Sequence, residues 1–222
     1  MKLLLESANI DEVRRAAALG TVDGVITDPS LLAAAVSPED HHERLAEICG
    51  AISGPVIAPV VAVDADAIHR EGRALAKLAD SIVVSVPMIE EALVGMRRLA
   101  ADGIPVHVAL IFNAAQALVA ARAGATYVSA GVSRLEDAGQ DGMTVVHDIR
   151  ALFDRSGFEC ELIAGSLRSP LHVEQAAAAG AHAGAAPAEV HRLLLLHPLT
   201  DRGVDQYLND WSRHLARSRA GG

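Results

Sequence analysis

Ser81-Ile82-Val83-Val84-Ser85-Val86-Pro87 is a short run of β-branched residues closed by a proline, with an acidic helix start just beyond it. A near-continuous apolar run of this length reads as a strand buried on both faces, the kind found in parallel sheets. Alternation puts Ile82, Val84 and Val86 on one face and Ser81, Val83 and Ser85 on the other. Ser85 is then the last polar side chain on its face, at the C-terminal end of the strand, which is where β/α barrels carry their chemistry. The plainer role for such a serine is that of a small residue packed near a strand end.

Outward from this run, strand and helix patterns alternate about every 25 residues, eight times. Strands are expected over residues 1–5, 24–27, 55–63, 81–87, 106–111, 126–130 and 161–166. The eighth, near 182–186, has poor intrinsic β-propensity and rests on the counting pattern. Asn9, Asp28 and Asp64 read as helix caps, Asp28 with Pro29 at the first helical position. Residues 133–142 read as a polar loop. Such alternation implies a parallel sheet, and right-handed crossovers close eight units into a (β/α)8 TIM barrel. No linker or composition break divides residues 1–222, so one domain is expected. A final amphipathic helix over 200–218 is extra to the barrel, and its apolar face (Val204, Leu208, Trp211, Leu215) must cover the barrel base or a neighbouring subunit.

Composition narrows the function. A net charge of −9 argues against a nucleic-acid surface, and 3% aromatic residues leave little for base stacking. The longest apolar stretch, 51–63, is broken by Ser, Gly and Pro and is too short to span a bilayer, and Glu6 interrupts any signal-like start. Two cysteines, Cys49 and Cys160, suit a reduced cytoplasm better than a disulfide framework. No HxH, HxxE or CxxC spacing marks a metal site, and no cofactor is expected.

Several motifs then resemble one family. They are Thr-Asp-Pro-Ser after the second strand, Val-Val-Ser-Val-Pro on the fourth, Leu-Ile-Phe-Asn-Ala-Ala-Gln on the fifth, Arg134 after the sixth, and Ala-Gly-Ser-Leu-Arg on the seventh. With His197-Pro198-Leu199-Thr200-Asp201 in the tail, the chain is similar to the small transaldolase/fructose-6-phosphate aldolase family over nearly its whole length. The resemblance implies a Schiff-base lysine on the fourth strand, supporting Asp and Asn residues, a proton-relay water, and a phosphate held by Arg and Ser. It also implies assembly as a homo-oligomer, a pentamer or decamer. Carried over position by position, Arg134, Ser166 and Arg168 match the phosphate ligands, and a phosphate dianion calls for charge-assisted donors of this kind.

The catalytic positions differ. Ser85 stands where the resemblance implies the lysine, Glu6 for the Asp and Asp28 for the Asn, while Pro59, Ala109 and Gly131 offer no side chain to hold the water. A serine cannot form an imine. The only lysines are Lys2, expected at the opposite barrel face, and Lys77, expected on a solvated helix. The mouth should instead gather Glu6, Asp28, Ser85 and Asn113 beneath the phosphate site. Paired carboxylates can split their pKa values and serve as acid and base. Glu6, facing inward without a lysine opposite, should gain a new partner or a raised pKa. His107 is expected to point inward as a satisfied core histidine, and Glu6 to be the only base near Ser85. Three functions stay open: lysine-independent chemistry on a phosphorylated sugar or small polyol (isomerisation, dehydration or aldol-type cleavage), sugar-phosphate binding without catalysis, and a family aldolase whose lysine was removed by design.

Overall fold

Alternating side chains on buried strands need two apolar environments, one inside the sheet and one under the helices. The computed structural model, which describes residues 1–220, supplies both. Its strands are β1 (Lys2–Glu6), β2 (Gly24–Ile26), β3 (Val56–Pro59), β4 (Ile82–Pro87), β5 (Val106–Ile111), β6 (Tyr127–Gly131), β7 (Glu161–Gly165) and β8 (Ala183–Ala186). Each runs parallel to its sequence neighbour, and β8 pairs with β1 to close the barrel. Leu4, Ile57, Val83, Ile163, Ala183 and Ala185 fill the interior. Leu5, Val25, Val84, Val108, Val128 and Leu162 face outward into the larger core beneath the helices. Each such burial is worth about 1.5–3 kcal/mol for a large aliphatic side chain, offset by the entropy of ordering the chain.

The helices are α1 (Ile10–Leu19), α2 (Pro29–Ala35), α3 (His41–Ala51), α4 (Ala65–Leu75), α5 (Glu90–Ala101), α6 (Ala114–Arg122), α7 (Val132–Asp137), α8 (Gly142–Ser156), α9 (Pro170–Ala178), α10 (Ala188–Leu193) and α11 (Pro198–Ala220). Asn9, Asp28 and Asp64 each accept backbone N–H bonds as N-caps. The barrel with its added C-terminal helix is thus the one that the alternation implied. No described helix is long and apolar enough to cross a membrane.

Two local expectations change, the eighth strand holds, and one of the two coverings offered for the last helix falls away. The stretch 133–142 is not all loop: α7 starts directly from β6, and Gly131 gives it no capping side chain that would have marked it in the sequence. The third strand ends at Pro59 rather than running to 63: the Val60 amide still donates to the Ser85 carbonyl of β4, but the Val61 and Ala62 amides donate to the Glu71 carboxylate of α4. The β8 strand forms despite its Ala-Gly composition because space there is short: a Cβ on Gly184 would lie 3.0 Å from the Met1 side chain and 3.1 Å from that of Leu167. The barrel base does not cover α11, whose Leu208 and Trp211 are 61% and 62% exposed.

The register positions the site. Pro59, Ser85, His107, Tyr127 and Glu161 are successive partners across β3 to β7. Because barrel strands tilt, this row descends from the C-terminal mouth at Pro59 to the N-terminal base, where Glu161 meets Lys2 Nζ at 2.9 Å. Ser85 and His107 are therefore neighbours on the inner wall.

Candidate active site

The C-terminal ends of the strands open into a cavity of about 500 Å³. Glu6, Asp28, Ser85, Arg134 and Ser166 all line it. Asn113 and Arg168 do not. Asn113 caps α6, its side chain accepting from the Gln116 amide at 2.9 Å. Arg168 is held by Asp137 through two hydrogen bonds of 2.6 Å each. Neither Lys2 nor Lys77 lines the cavity.

Glu6 ends β1, the last inward position of its strand. Its Oε1 accepts a 2.7 Å hydrogen bond from the Ser166 backbone amide. Burial pushes its carboxyl up to about 7, opposed by that amide and by Arg134, and reinforced by the negative Asp28. The new partner and the raised pKa expected for a carboxylate without its lysine are both present. Ser166 is held from the other side as well, since Ser133 Oγ donates to its carbonyl. These two contacts fix Ser166 at φ 59°, a left-handed backbone that a serine rarely adopts. Asp28 combines two positions: its Oδ1 accepts from the Leu31 amide at 2.8 Å as the cap of α2, and its side chain borders the cavity.

Sequence reasoning missed the partner of Ser85. Its Oγ lies 2.9 Å from His107 Nδ1, so the group beside Ser85 is the His107 imidazole and not the Glu6 carboxylate. Nor is His107 fully satisfied: it is 1% exposed, and its Nε2 has no hydrogen-bond partner. Burial drives its imidazole pKa down to about 3, so the ring is neutral at physiological pH. A neutral ring carries one proton. On Nε2 that proton would be an orphaned buried donor, costing about 1–3 kcal/mol. On Nδ1 it donates to Ser85 Oγ, which favours that tautomer and leaves the serine hydroxyl free to donate into the cavity. The signal was present in the sequence, since Ser85 and His107 both sit on inward strand positions; the inter-strand register that pairs them was not.

Arg134 projects from α7 and has no carboxylate partner among the described residues, which leaves its guanidinium free for an anion at the mouth. Thr27 lines the same cavity but is satisfied, its Oγ1 donating to the Ile57 carbonyl at 2.9 Å. Pro59, Ala109 and Gly131 do face the cavity and bring no polar side chain to it. No group of three His, Cys, Asp or Glu side chains among the described residues is placed to hold a metal ion.

Comparison with known proteins bears on the family. The chain is 49% identical over 210 residues to a "Probable transaldolase" of Sorangium cellulosum, covering 95% of this chain and 96% of that protein. It is 46% identical over 213 residues to a "Probable transaldolase" of Bacillus cereus, covering 96% and 98% respectively. A relative with the same description from Methanococcus maripaludis is 44% identical over 217 residues and is matched along 100% of its length. The family model described as Transaldolase/Fructose-6-phosphate aldolase matches residues 3–219, and the chain belongs to that family.

Proposed function

We propose that this barrel is a divergent family member that acts on a phosphorylated carbonyl compound of the sugar-phosphate type, by proton transfer next to the carbonyl and without a Schiff base. One observation carries this: a buried carboxyl, Glu6, and a neutral Ser85–His107 pair face one cavity that no lysine lines. The Ser85 hydroxyl, supported by His107 Nδ1–H, donates to the substrate carbonyl oxygen and steadies the negative charge that grows there. Glu6 removes the proton from the adjacent carbon. A carboxyl with a pKa near 7 is matched to this task, because it is partly ionised at neutral pH yet a stronger base than an ordinary glutamate. Returning that proton to the former carbonyl carbon, while the α-hydroxyl gives up its proton and the carbonyl oxygen gains one, gives isomerisation; passing it from Glu6 to a departing β-hydroxyl, which leaves as water, gives dehydration.

Arg134 and Ser166 hold the phosphate. Arg168 joins them when its exposed pair with Asp137 opens, at a cost of about 0–1 kcal/mol for a surface ion pair. Asp28 and Asn113 act through the helices they cap, setting the rim of the site.

The test is exchange with solvent deuterium. Phosphorylated carbonyl compounds, from aldose and ketose phosphates to less hydroxylated phosphoketones, are incubated with the protein in heavy water and followed by NMR. Deuterium should enter at the carbon next to the carbonyl of at least one compound. Binding without exchange across the panel would instead establish a sugar-phosphate-binding protein with no catalysis.

A further inference from the structure

The cavity has two unlike walls. Glu6, Asp28, Arg134 and Ser166 lie on the side formed by β1, β2, β6 and β7. Opposite them, from β3 to β5, the surface is made by Pro59, Val61, Val63, Ala109, Leu110 and Phe112. The only polar side chains on that wall are Ser85 and His107, which bond to one another.

Several backbone amides along it are engaged as well. The Val61 and Ala62 amides donate to Glu71, each at 3.0 Å. The Phe112 amide donates to Gln116 Oε1 at 2.8 Å, and the Met88 amide to the Ala109 carbonyl at 3.0 Å. Sugar hydroxyls laid on this wall would give up water and find few side chains or amides to replace it, a net loss for each left unpaired.

Three features build the wall rather than merely leave it bare. Val61 and Val63 stand 69% and 67% exposed beside the cavity. Leu110 takes φ 62° at the register shift between Val108 and Ile111, a costly backbone for a leucine, and lines the cavity from there. The Phe112 ring lies over Gly131, where even a Cβ would come within 2.7 Å of it, so aromatic surface fills the place of any side chain at 131.

We infer that the substrate is a phosphomonoester whose body is largely apolar, an aliphatic or aromatic chain with one carbonyl, rather than a fully hydroxylated sugar. The phosphate meets Arg134, the carbonyl meets Ser85, and the chain lies on the wall from Pro59 to Phe112. This rests on the phosphate reading above and narrows it.

Calorimetry with inorganic phosphate, benzyl phosphate and fructose 6-phosphate tests it. Benzyl phosphate should bind at least ~10-fold more tightly than fructose 6-phosphate, the ratio expected when an apolar group leaves water and hydroxyls gain no partners. Val61→Asn, at an exposed position that the fold tolerates, should weaken benzyl phosphate by roughly 3- to 10-fold and leave inorganic phosphate unchanged. Equal or tighter binding of fructose 6-phosphate, with Arg134-dependent phosphate binding intact, overturns this inference alone. No binding of any of the three overturns the phosphate reading with it.

Discussion

Glu6→Gln is expected to lower turnover by about 10²- to 10⁴-fold, the usual contribution of a positioned general base. The glutamine keeps an oxygen to accept from the Ser166 amide but cannot take a proton from carbon. In the parent protein the rate should rise with pH through about 7, as Glu6 ionises, and the residual rate of the variant should lack that rise. Stability should move the other way. Below pH 4.5, the group's ordinary value, Glu6 is protonated folded or unfolded and contributes nothing. As pH rises toward 7 the unfolded chain releases this proton while the folded chain holds it, so stability falls, and the loss is complete above 7. The cost is on the order of 2–3 kcal/mol for a shift of this size, discounted for the side chain's remaining contact with solvent. Denaturant unfolding at pH 8 should therefore find Glu6→Gln more stable than the parent, and at pH 4.5 about equal to it. A variant that is less active and more stable has not simply misfolded. Equal turnover by parent and variant would remove Glu6 from the mechanism.

Arg134→Ala is expected to raise KM for a phosphorylated substrate by about 10- to 100-fold, in line with the loss of a charge-assisted hydrogen bond. Turnover at saturation should change much less, because a phosphate grip held equally in ground and transition states is uniform binding. The arginine lies on the surface of α7 and is tied to no carboxylate among the described residues, so the thermal midpoint should stay where it was. Arg168→Ala should cost far less, since that guanidinium is already engaged by Asp137. Steady-state kinetics on the two variants separates the roles; a larger effect at Arg168 would place the phosphate further along the rim.

The architecture was legible because each strand states its own buried faces. The run from Ser81 to Pro87 needs apolar surroundings on two sides, and eight such units leave few topologies other than a closed barrel. Short-range signals were legible too: Asn9, Asp28 and Asp64 cap helices within three residues of themselves. What escaped was set by long-range register and by competition between partners. Ser85 and His107 are 22 residues apart, and only strand pairing brings them together. Arg168 has the chemistry of a phosphate ligand, but Asp137, 31 residues away, takes its guanidinium. The short helix α7 starts without a cap, driven by apolar Val132 and Leu135 being buried rather than by any start signal.

The proposed chemistry without an amine is open to a direct measurement. The protein is incubated with a substrate it turns over, in the presence of cyanoborohydride, and its intact mass and activity are followed. An unchanged mass and full activity are the predicted result, since no imine forms for the hydride to trap. A mass increase equal to the reduced substrate adduct, with matching inactivation, would show an amine at work and contradict the account.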